Sequence, residues 1–145
     1  MIHIYIKTEY NSTEDPKKLK TVLTNFSSII EDKIELIETD SSRFFTAEAS
    51  GIEILKNFFE GIRKQQIVQS ARKILNIERD SEGVSFMLNK QALFVGKFHF
   101  SETPDESPMG PVHVRIESDN IDSLIEYLVP ETRKGIPIEV DYLPE

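Results

Sequence analysis

In several predicted strands, polar side chains alternate with apolar ones. The polar side chains could together form a ligand-binding site. In the N-terminal segment, isoleucines alternate with polar residues, which are therefore predicted to face away from the apolar side. A hairpin between the strand that ends at Phe100 and the next one would place His99 beside His113 and Lys97 beside Arg115. The residues predicted to share this polar face are His3, Tyr5, Lys7, Lys97, His99, His113 and Arg115.

Three interpretations of this face remain open. The polar residues can simply face water, or they can form a nucleic-acid platform on which Tyr5 stacks against a base. A histidine metal site is disfavoured because these strands carry no carboxylate at ligand spacing. We therefore predict no metal ion and no cofactor.

The trio Asn89-Lys90-Gln91 interrupts the most regular apolar pattern of the chain, which extends from Ser85 to Phe100. We expect one strand before the trio and a second strand from Phe94 to Phe100 after it. A bulge or tight turn would then aim the amides and the ammonium group outward. Such groups suit phosphate, ribose or base edges, although asparagine and lysine are also ordinary turn residues.

The charge of the chain is unevenly distributed. The net charge is -8, which argues against a general polyanion binder. Between Gly61 and His99, seven Lys/Arg stand against three acids, so this segment is +4 and the remainder is -12. The segment is either an ordinary solvated surface or a local anion-binding surface on an acidic body.

No catalytic motif is present. The sequence lacks a nucleophile elbow, a phosphate-binding loop, a zinc-protease motif and a dinucleotide fingerprint, and it has no cysteine. The acids Glu102, Asp105 and Glu106 lie on a proline-rich loop without the spacing of a calcium loop. We predict that the protein is not an enzyme and that this loop is solvated.

The periodicities predict an α+β fold with the element order β-α-β-β-α-α-β-β-β-α. Hairpin-linked strands and separate helices favour a mainly antiparallel sheet with helices packed on one face. A length of 145 residues suits a single domain, residues 1–145, in which 130–145 form an extended tail or a short edge strand. The N-terminus lacks the basic region of a signal peptide and no apolar run approaches about 20 residues, so we expect a cytoplasmic protein and no membrane partner. The predicted helices are 16–26, 52 to about 61, 64 to about 75, and 121–128; the predicted strands are 2–7, 34–38, 43–49, 84–88, 94–100, 112–116 and 136–140.

Three stretches resemble a small archaeal family of uncharacterised, UPF-class proteins described as predicted RNA-binding proteins related to exosome subunits. They are Arg63-Lys64-Gln65-Gln66-Ile67-Val68 with Ala71-Arg72, Leu88-Asn89-Lys90-Gln91-Ala92 with Phe94-Val95-Gly96-Lys97, and Glu106-Ser107-Pro108-Met109-Gly110-Pro111. The resemblance covers roughly residues 1–130, in order. It implies an α+β fold similar to that of the ribosomal protein that carries 5S rRNA, and it implies no established activity.

These observations lead to a first hypothesis, a non-catalytic protein that binds structured RNA. The alternative is a protein–protein interaction module or a homodimeric regulatory protein without RNA binding. The residues predicted to contact RNA are Arg63, Lys64, Gln65, Gln66, Arg72, Lys73, Asn89, Lys90, Gln91, Lys97 and Arg115.

Overall fold

Alternating apolar residues build one buried face of a six-stranded sheet. The structure is a computed structural model that describes residues 1–107 and 109–145, so Pro108, within the third resembling stretch, lies outside the described residues. The strands are β1 (His3–Glu9), β2 (Glu35–Glu38), β3 (Arg43–Ser50), β4 (Gly83–Leu88), β5 (Phe100–Ser101), β6 (Val112–Glu117), β7 (Thr132–Arg133) and β8 (Ile136–Pro137). The helices are α1 (Pro16–Phe26), α2 (Lys56–Lys64), α3 (Val68–Glu78), α4 (Lys90–Phe94) and α5 (Ile121–Leu128), with 3₁₀ turns at Ser28–Lys33, Ile52–Leu55 and Pro104–Glu106.

The strand order in the sheet is β2-β3-β1-β6-β4-β5, and every neighbouring pair is antiparallel. The N-terminal strand β1 therefore lies inside the sheet, between β3 and β6. Ile4 and Ile6 of β1 are buried together with Val114 of β6 and Phe86 of β4. The predicted α+β fold with a mainly antiparallel sheet is confirmed.

The helices cover this face with apolar stripes of helical spacing. In α1, Asp15 caps the first turn by accepting a hydrogen bond from the backbone N–H of Lys17 (2.9 Å), and Pro16 occupies the first position. Leu19, Val22, Leu23 and Phe26 of this helix are buried, as are the apolar residues of α2, α3 and α5. No helix in the described part of the chain is long and apolar enough to cross a membrane.

The predicted strand at residues 94–100 is wrong, because a short helix occupies its first half. The Asn89 side chain accepts a hydrogen bond from the Ala92 N–H (2.8 Å) and so caps α4. Leu93 is buried, and Gly96 adopts a φ of 80° just beyond the helix. The apolar alternation arises by coincidence, and β5, just two residues long, is the strand that remains, paired with the end of β4.

The second and third helices also end and begin later than predicted. Gly61 lies inside α2 instead of ending it, and the ring of Phe98 fills the space that a side chain would occupy there. A Cβ atom on Gly61 would lie 2.2 Å from that ring. Gln66, with a φ of 60°, separates the two helices and delays the start of α3 to Val68. In the tail, β7 and β8 form a small hairpin outside the main sheet.

Candidate nucleic-acid interface

The open face of the sheet carries rows of polar residues at its centre. In one row, Tyr5 of β1 lies between Glu48 of β3 and Arg115 of β6, and Arg115 is opposite Ser85 of β4. In the next row, Lys7 lies between Thr46 and His113, and Met87 follows on β4. Tyr5, Lys7, Glu48 and His113 are exposed, so no helix among the described residues covers this part of the face.

Two residues predicted for this face lie elsewhere. Strand β4 separates β5 from β6, so the expected hairpin between residues 100 and 112 does not form. His113 is opposite Met87 instead of His99. His99 and Lys97 precede β5 and are exposed outside the strands. The predicted His99–His113 and Lys97–Arg115 pairs are therefore wrong, because β4 lies between β6 and the segment that carries Lys97 and His99.

A groove of about 750 Å³ follows the open face along β4 and β6. Its lining includes Tyr5, Met87 and His113, and Ile77 of α3 borders it. Partial desolvation of the His113 ring in the groove, and then Lys7 nearby, lower the pKa of this imidazole, which favours its neutral form. Ser101, also in the lining, has a buried hydroxyl without a hydrogen-bond partner among the described residues.

The cation at the centre of this face is neutralised by its own surroundings. Arg115 donates hydrogen bonds to Asp80 (3.0 Å), Ser85 (3.1 Å) and Glu117 (3.3 Å). The hydrogen bond from Arg115 lowers the pKa of Asp80 to about 2, with help from two backbone N–H groups. Glu48 adds another negative charge, so the face presents little free positive charge for a phosphate.

Two arginines that were predicted to contact RNA instead bind other parts of the protein. Arg63 donates two hydrogen bonds to Glu139 (2.8 Å each) and one to the Leu128 carbonyl (3.0 Å), and its guanidinium lies 3.4 Å from the ring centre of Phe59. Arg63 lowers the pKa of Glu139, mainly through these hydrogen bonds. This contact joins α2 to α5 and the tail.

Arg72 plays a similar part on α3. Its guanidinium donates hydrogen bonds to Glu126 (3.1 Å) and to the Val129 carbonyl (2.9 Å), and a second carboxylate, that of Glu131, lies 3.8 Å away. The side chain thereby attaches α3 to α5 and to the residues that follow it. By contrast, Lys73 is exposed on the same helix.

The Asn89-Lys90-Gln91 trio does not point outward as a unit. Lys90 is 2% exposed, and its Nζ donates to the carbonyls of Glu9 (2.9 Å) and Met109 (2.7 Å) and to the Glu14 carboxylate (3.2 Å). Burial lowers the pKa of Lys90, against the opposing effect of Glu14. Asn89 is the helix cap, and Gln91 is exposed with its side-chain oxygen 3.2 Å from the Ser107 hydroxyl oxygen.

The second and third resembling stretches therefore meet in space. Ser107 accepts a hydrogen bond from the Lys90 N–H (3.2 Å), and its hydroxyl donates to the Gly110 carbonyl (2.8 Å). Together with the bond from Lys90 to Met109, these contacts fix the loop before β6 against α4. The middle stretch was predicted to contact RNA, but most of its polar atoms bind other parts of the protein here.

At the end of α2, the predicted residues separate into a fixed one and exposed ones. The Gln65 side chain donates to the Phe98 carbonyl and accepts from the Phe98 N–H, both at 2.8 Å. This pair of hydrogen bonds brings the segment before β5 against the end of α2. The neighbours of this pair in the sequence are exposed: Lys64 and Gln66 next to Gln65, and Lys97 next to Phe98.

The lysines of α1 form the feature that sequence reasoning missed. Residues 16–27 and 89–101 contain five lysines and no acid, and four of the five are exposed. The two segments pack together, because the Asn25 side chain donates to the carbonyls of Leu93 (2.8 Å) and Phe94 (2.9 Å). We call the four exposed residues, Lys17, Lys18, Lys20 and Lys97, the lysine surface. The signal was available in the sequence of α1, which has three lysines and no acid.

Nothing in the described residues resembles a metal centre. No group of three or more histidine, aspartate or glutamate side chains is arranged there so that it could hold an ion. The acids of the loop at 102–106 are exposed, and Glu106 accepts a hydrogen bond from the backbone N–H of Glu102 (3.0 Å).

Comparison with known proteins identifies relatives over the whole length. A family model described as RNA binding matches residues 3–118. A UPF0201 protein of Metallosphaera sedula is 31% identical over 145 residues, covering 100% of this chain and 99% of that protein. A UPF0201 protein of Sulfurisphaera tokodaii is 33% identical, with 99% and 98% covered.

A solved structure of another UPF0201 protein has a similar fold. The crystal structure of a UPF0201 protein from Methanococcus jannaschii matches with a TM-score of 0.82 at 28% identity, covering 94% of this chain and 99% of that chain. The relation to exosome subunits, the likeness to the 5S rRNA-binding ribosomal protein and a cytoplasmic location stay predictions. The resemblance found in the sequence is confirmed at the level of the family: the chain belongs to the RNA-binding family that this model describes, together with the archaeal UPF0201 proteins.

Proposed function

We propose that the protein is a non-catalytic RNA-binding protein that contacts RNA phosphates through the lysine surface. The observation that carries the proposal is the pair of packed, acid-free segments on a chain with a net charge of -8. Membership of a family whose model is described as RNA binding supports the same ligand. Phosphate contacts supply most of the non-specific affinity for nucleic acids, so a local positive surface can bind although the whole protein is acidic.

The predicted contact residues divide according to their own partners. Exposed lysines without an ion pair among the described residues can neutralise phosphates, and we propose this role for Lys64, Lys73 and Lys97 in addition to α1. Arg63 and Arg72 are committed to carboxylates and carbonyls, so we propose that they position the helices. The remaining predicted residues, Gln65, Gln66, Asn89, Lys90, Gln91 and Arg115, are proposed as supports of the surface or as secondary contacts.

The test is the salt dependence of RNA binding, measured by the fluorescence anisotropy of a labelled RNA. If the six lysines proposed for this role each neutralise one phosphate of a single strand, the slope of log K against log salt is about -4. The triple variant Lys17→Gln, Lys18→Gln, Lys97→Gln should reduce that slope by about 2. Its affinity at low salt should fall accordingly.

A matched variant controls for net charge. Lys33→Gln, Lys56→Gln, Lys134→Gln removes the same charge from three other exposed lysines and should leave the slope nearly unchanged. Equal losses in both triple variants would mean that only the net charge matters. If the parent protein binds RNA no better than an equally acidic control protein, the proposed function is wrong.

A second candidate function is a homodimer formed through the open face of the sheet. The groove there is lined largely by apolar groups, and Ile77 at its border is 69% exposed. Arg115 already has acidic partners, which suits a protein surface better than a phosphate. Sedimentation at micromolar concentration should then show a dimer that Ile77→Lys disperses. A strictly monomeric parent protein would eliminate this candidate.

A further inference from the structure

One large aromatic side chain is exposed within the lysine surface. Phe94, the last residue of α4, is 37% exposed, and Val95 beside it is 68% exposed. Phe58, Phe86 and Phe98, by contrast, are buried in the core. Packing of the core therefore does not explain the position of Phe94.

The backbone that carries Phe94 is firmly held. Asn25 of α1 donates hydrogen bonds to the carbonyls of Leu93 (2.8 Å) and Phe94 (2.9 Å), and the Leu93 side chain is fully buried. Beyond the helix, the Gly96 N–H donates to the Leu93 carbonyl (2.9 Å) and the Lys97 N–H donates to the Ala92 carbonyl (2.9 Å). A ring on such a base loses little conformational freedom when it binds a ligand.

One exposed lysine lies beside this ring in space, and a second follows it closely in the chain. The Nζ of Lys18 is 5.9 Å from the centre of the Phe94 ring, and Lys97 follows three residues later in the chain. Residues 16–27 and 89–101 contain no acid that would repel a phosphate. An exposed aromatic ring flanked by lysines is the arrangement with which proteins hold single-stranded nucleic acid, through base stacking and backbone charge together.

We propose that Phe94 stacks on an unpaired base of the bound RNA while Lys18 and Lys97 contact the flanking phosphates. This inference rests on the proposed function and specifies its ligand as RNA with at least one unpaired nucleotide. Fully paired RNA hides its base faces in the helix, so it offers phosphates to the lysines and no base to the ring. A membrane or an acidic peptide would bind the lysines without using Phe94. If either were the ligand, the protein would not bind single-stranded RNA more tightly than a duplex.

The test compares two RNA probes by fluorescence anisotropy. One is a labelled single strand of about 12 nucleotides, and the other is the same strand in a blunt duplex. Phe94→Ala should weaken binding of the single strand by about 5- to 150-fold, which is the effect of losing one stacked base. It should change duplex binding little and leave the salt slope unaltered, because no charge is removed.

Two further variants make the result specific. Phe94→Tyr keeps an aromatic face and should restore single-strand affinity to within about threefold of the parent protein. Leu143→Ala removes an exposed apolar side chain of the tail, 70% exposed, and should have no effect on either probe. Circular dichroism melting of Phe94→Ala checks that the variant is folded, as expected for a partly exposed residue.

The outcomes separate this inference from the function on which it rests. If the lysine triple variant weakens binding while Phe94→Ala binds both probes normally, stacking is refuted and the proposed function stands. If Phe94→Ala weakens both probes equally, the ring does not recognise an unpaired base, and the inference is likewise refuted. If the parent protein binds neither probe at low salt, both proposals fall together.

Discussion

Replacing Lys90 by methionine should destabilise the protein severely, although lysine is usually a surface residue. The lysine side chain is 3% exposed and its ion-pair partner Glu14 is 13% exposed. Methionine retains the unbranched side chain as far as the ε position and removes the ammonium group. The Glu14 carboxylate then remains buried without its partner, and the carbonyls of Glu9 and Met109 lose a charged donor.

The expected loss follows from these contacts. Removing one partner of a buried ion pair costs about 3–5 kcal/mol, because the other charge remains without compensation. A domain has only about 5–15 kcal/mol of stability in total. Lys90→Met should therefore unfold at a much lower urea concentration than the parent protein. Tyrosine fluorescence or circular dichroism can follow the transition, since the chain has four tyrosines and no tryptophan.

A double-mutant cycle tests the physical reason. Glu14→Gln keeps an oxygen that can accept the hydrogen bonds from Asn11 and removes the charge. Combined with Lys90→Met, it should lose about 1–3 kcal/mol less than the sum of the two single losses. Lys97→Met is the exposed control. If Lys90→Met stays within about 0.5 kcal/mol of the parent protein, the buried ion pair is refuted.

Four further substitutions test the core, an exposed lysine, the open face and one helix. Phe98→Ala should cost about 3–5 kcal/mol in urea unfolding because the ring is buried, whereas Lys97→Ala should stay within about 0.5 kcal/mol and flatten the salt slope of RNA binding by about one phosphate. Because Arg115 holds the pKa of Asp80 at about 2, below the usual 3.8, the contribution of Asp80 is complete above pH 3.8 and is lost as the pH falls through 2. The melting temperature of Asp80→Asn should therefore fall less between those pH values than that of the parent protein; equal falls would contradict the pairing. Gly61→Ala should destabilise by about 1–3 kcal/mol despite the better helix propensity of alanine, and unchanged unfolding would show that the ring of Phe98 can move aside.

Much of the fold could be predicted because its signals are local. The isoleucines of β1 alternate, and α1 begins with Asp15 and Pro16 before a regular apolar stripe. Helix α4 was missed because five residues are too few to show a helical period. Its cap, Asn89, was visible in the sequence, but the apolar residues around it imitated a strand.

The candidate site was harder to predict because its contacts join distant parts of the chain. Lys90 and Glu14 are 76 positions apart, and Arg115 meets Asp80 35 positions away, so no local pattern marks these cations as neutralised. Counting charges along the sequence treats such residues as free. The acid-free composition of α1, with Lys17, Lys18 and Lys20, is local and could have been recognised.

The place of β1 inside the sheet has a consequence for synthesis of the protein on the ribosome. His3–Glu9 is made before the other strands of the sheet, but its partner β6 ends only at Glu117, more than 100 residues later. Until then β1 can pair with β3 alone, and its other edge remains open to any strand that approaches. Such long-range pairing is slow to form. A chain that stops before β6 should therefore aggregate, because the unpaired edge of β1 can pair with strands of other chains.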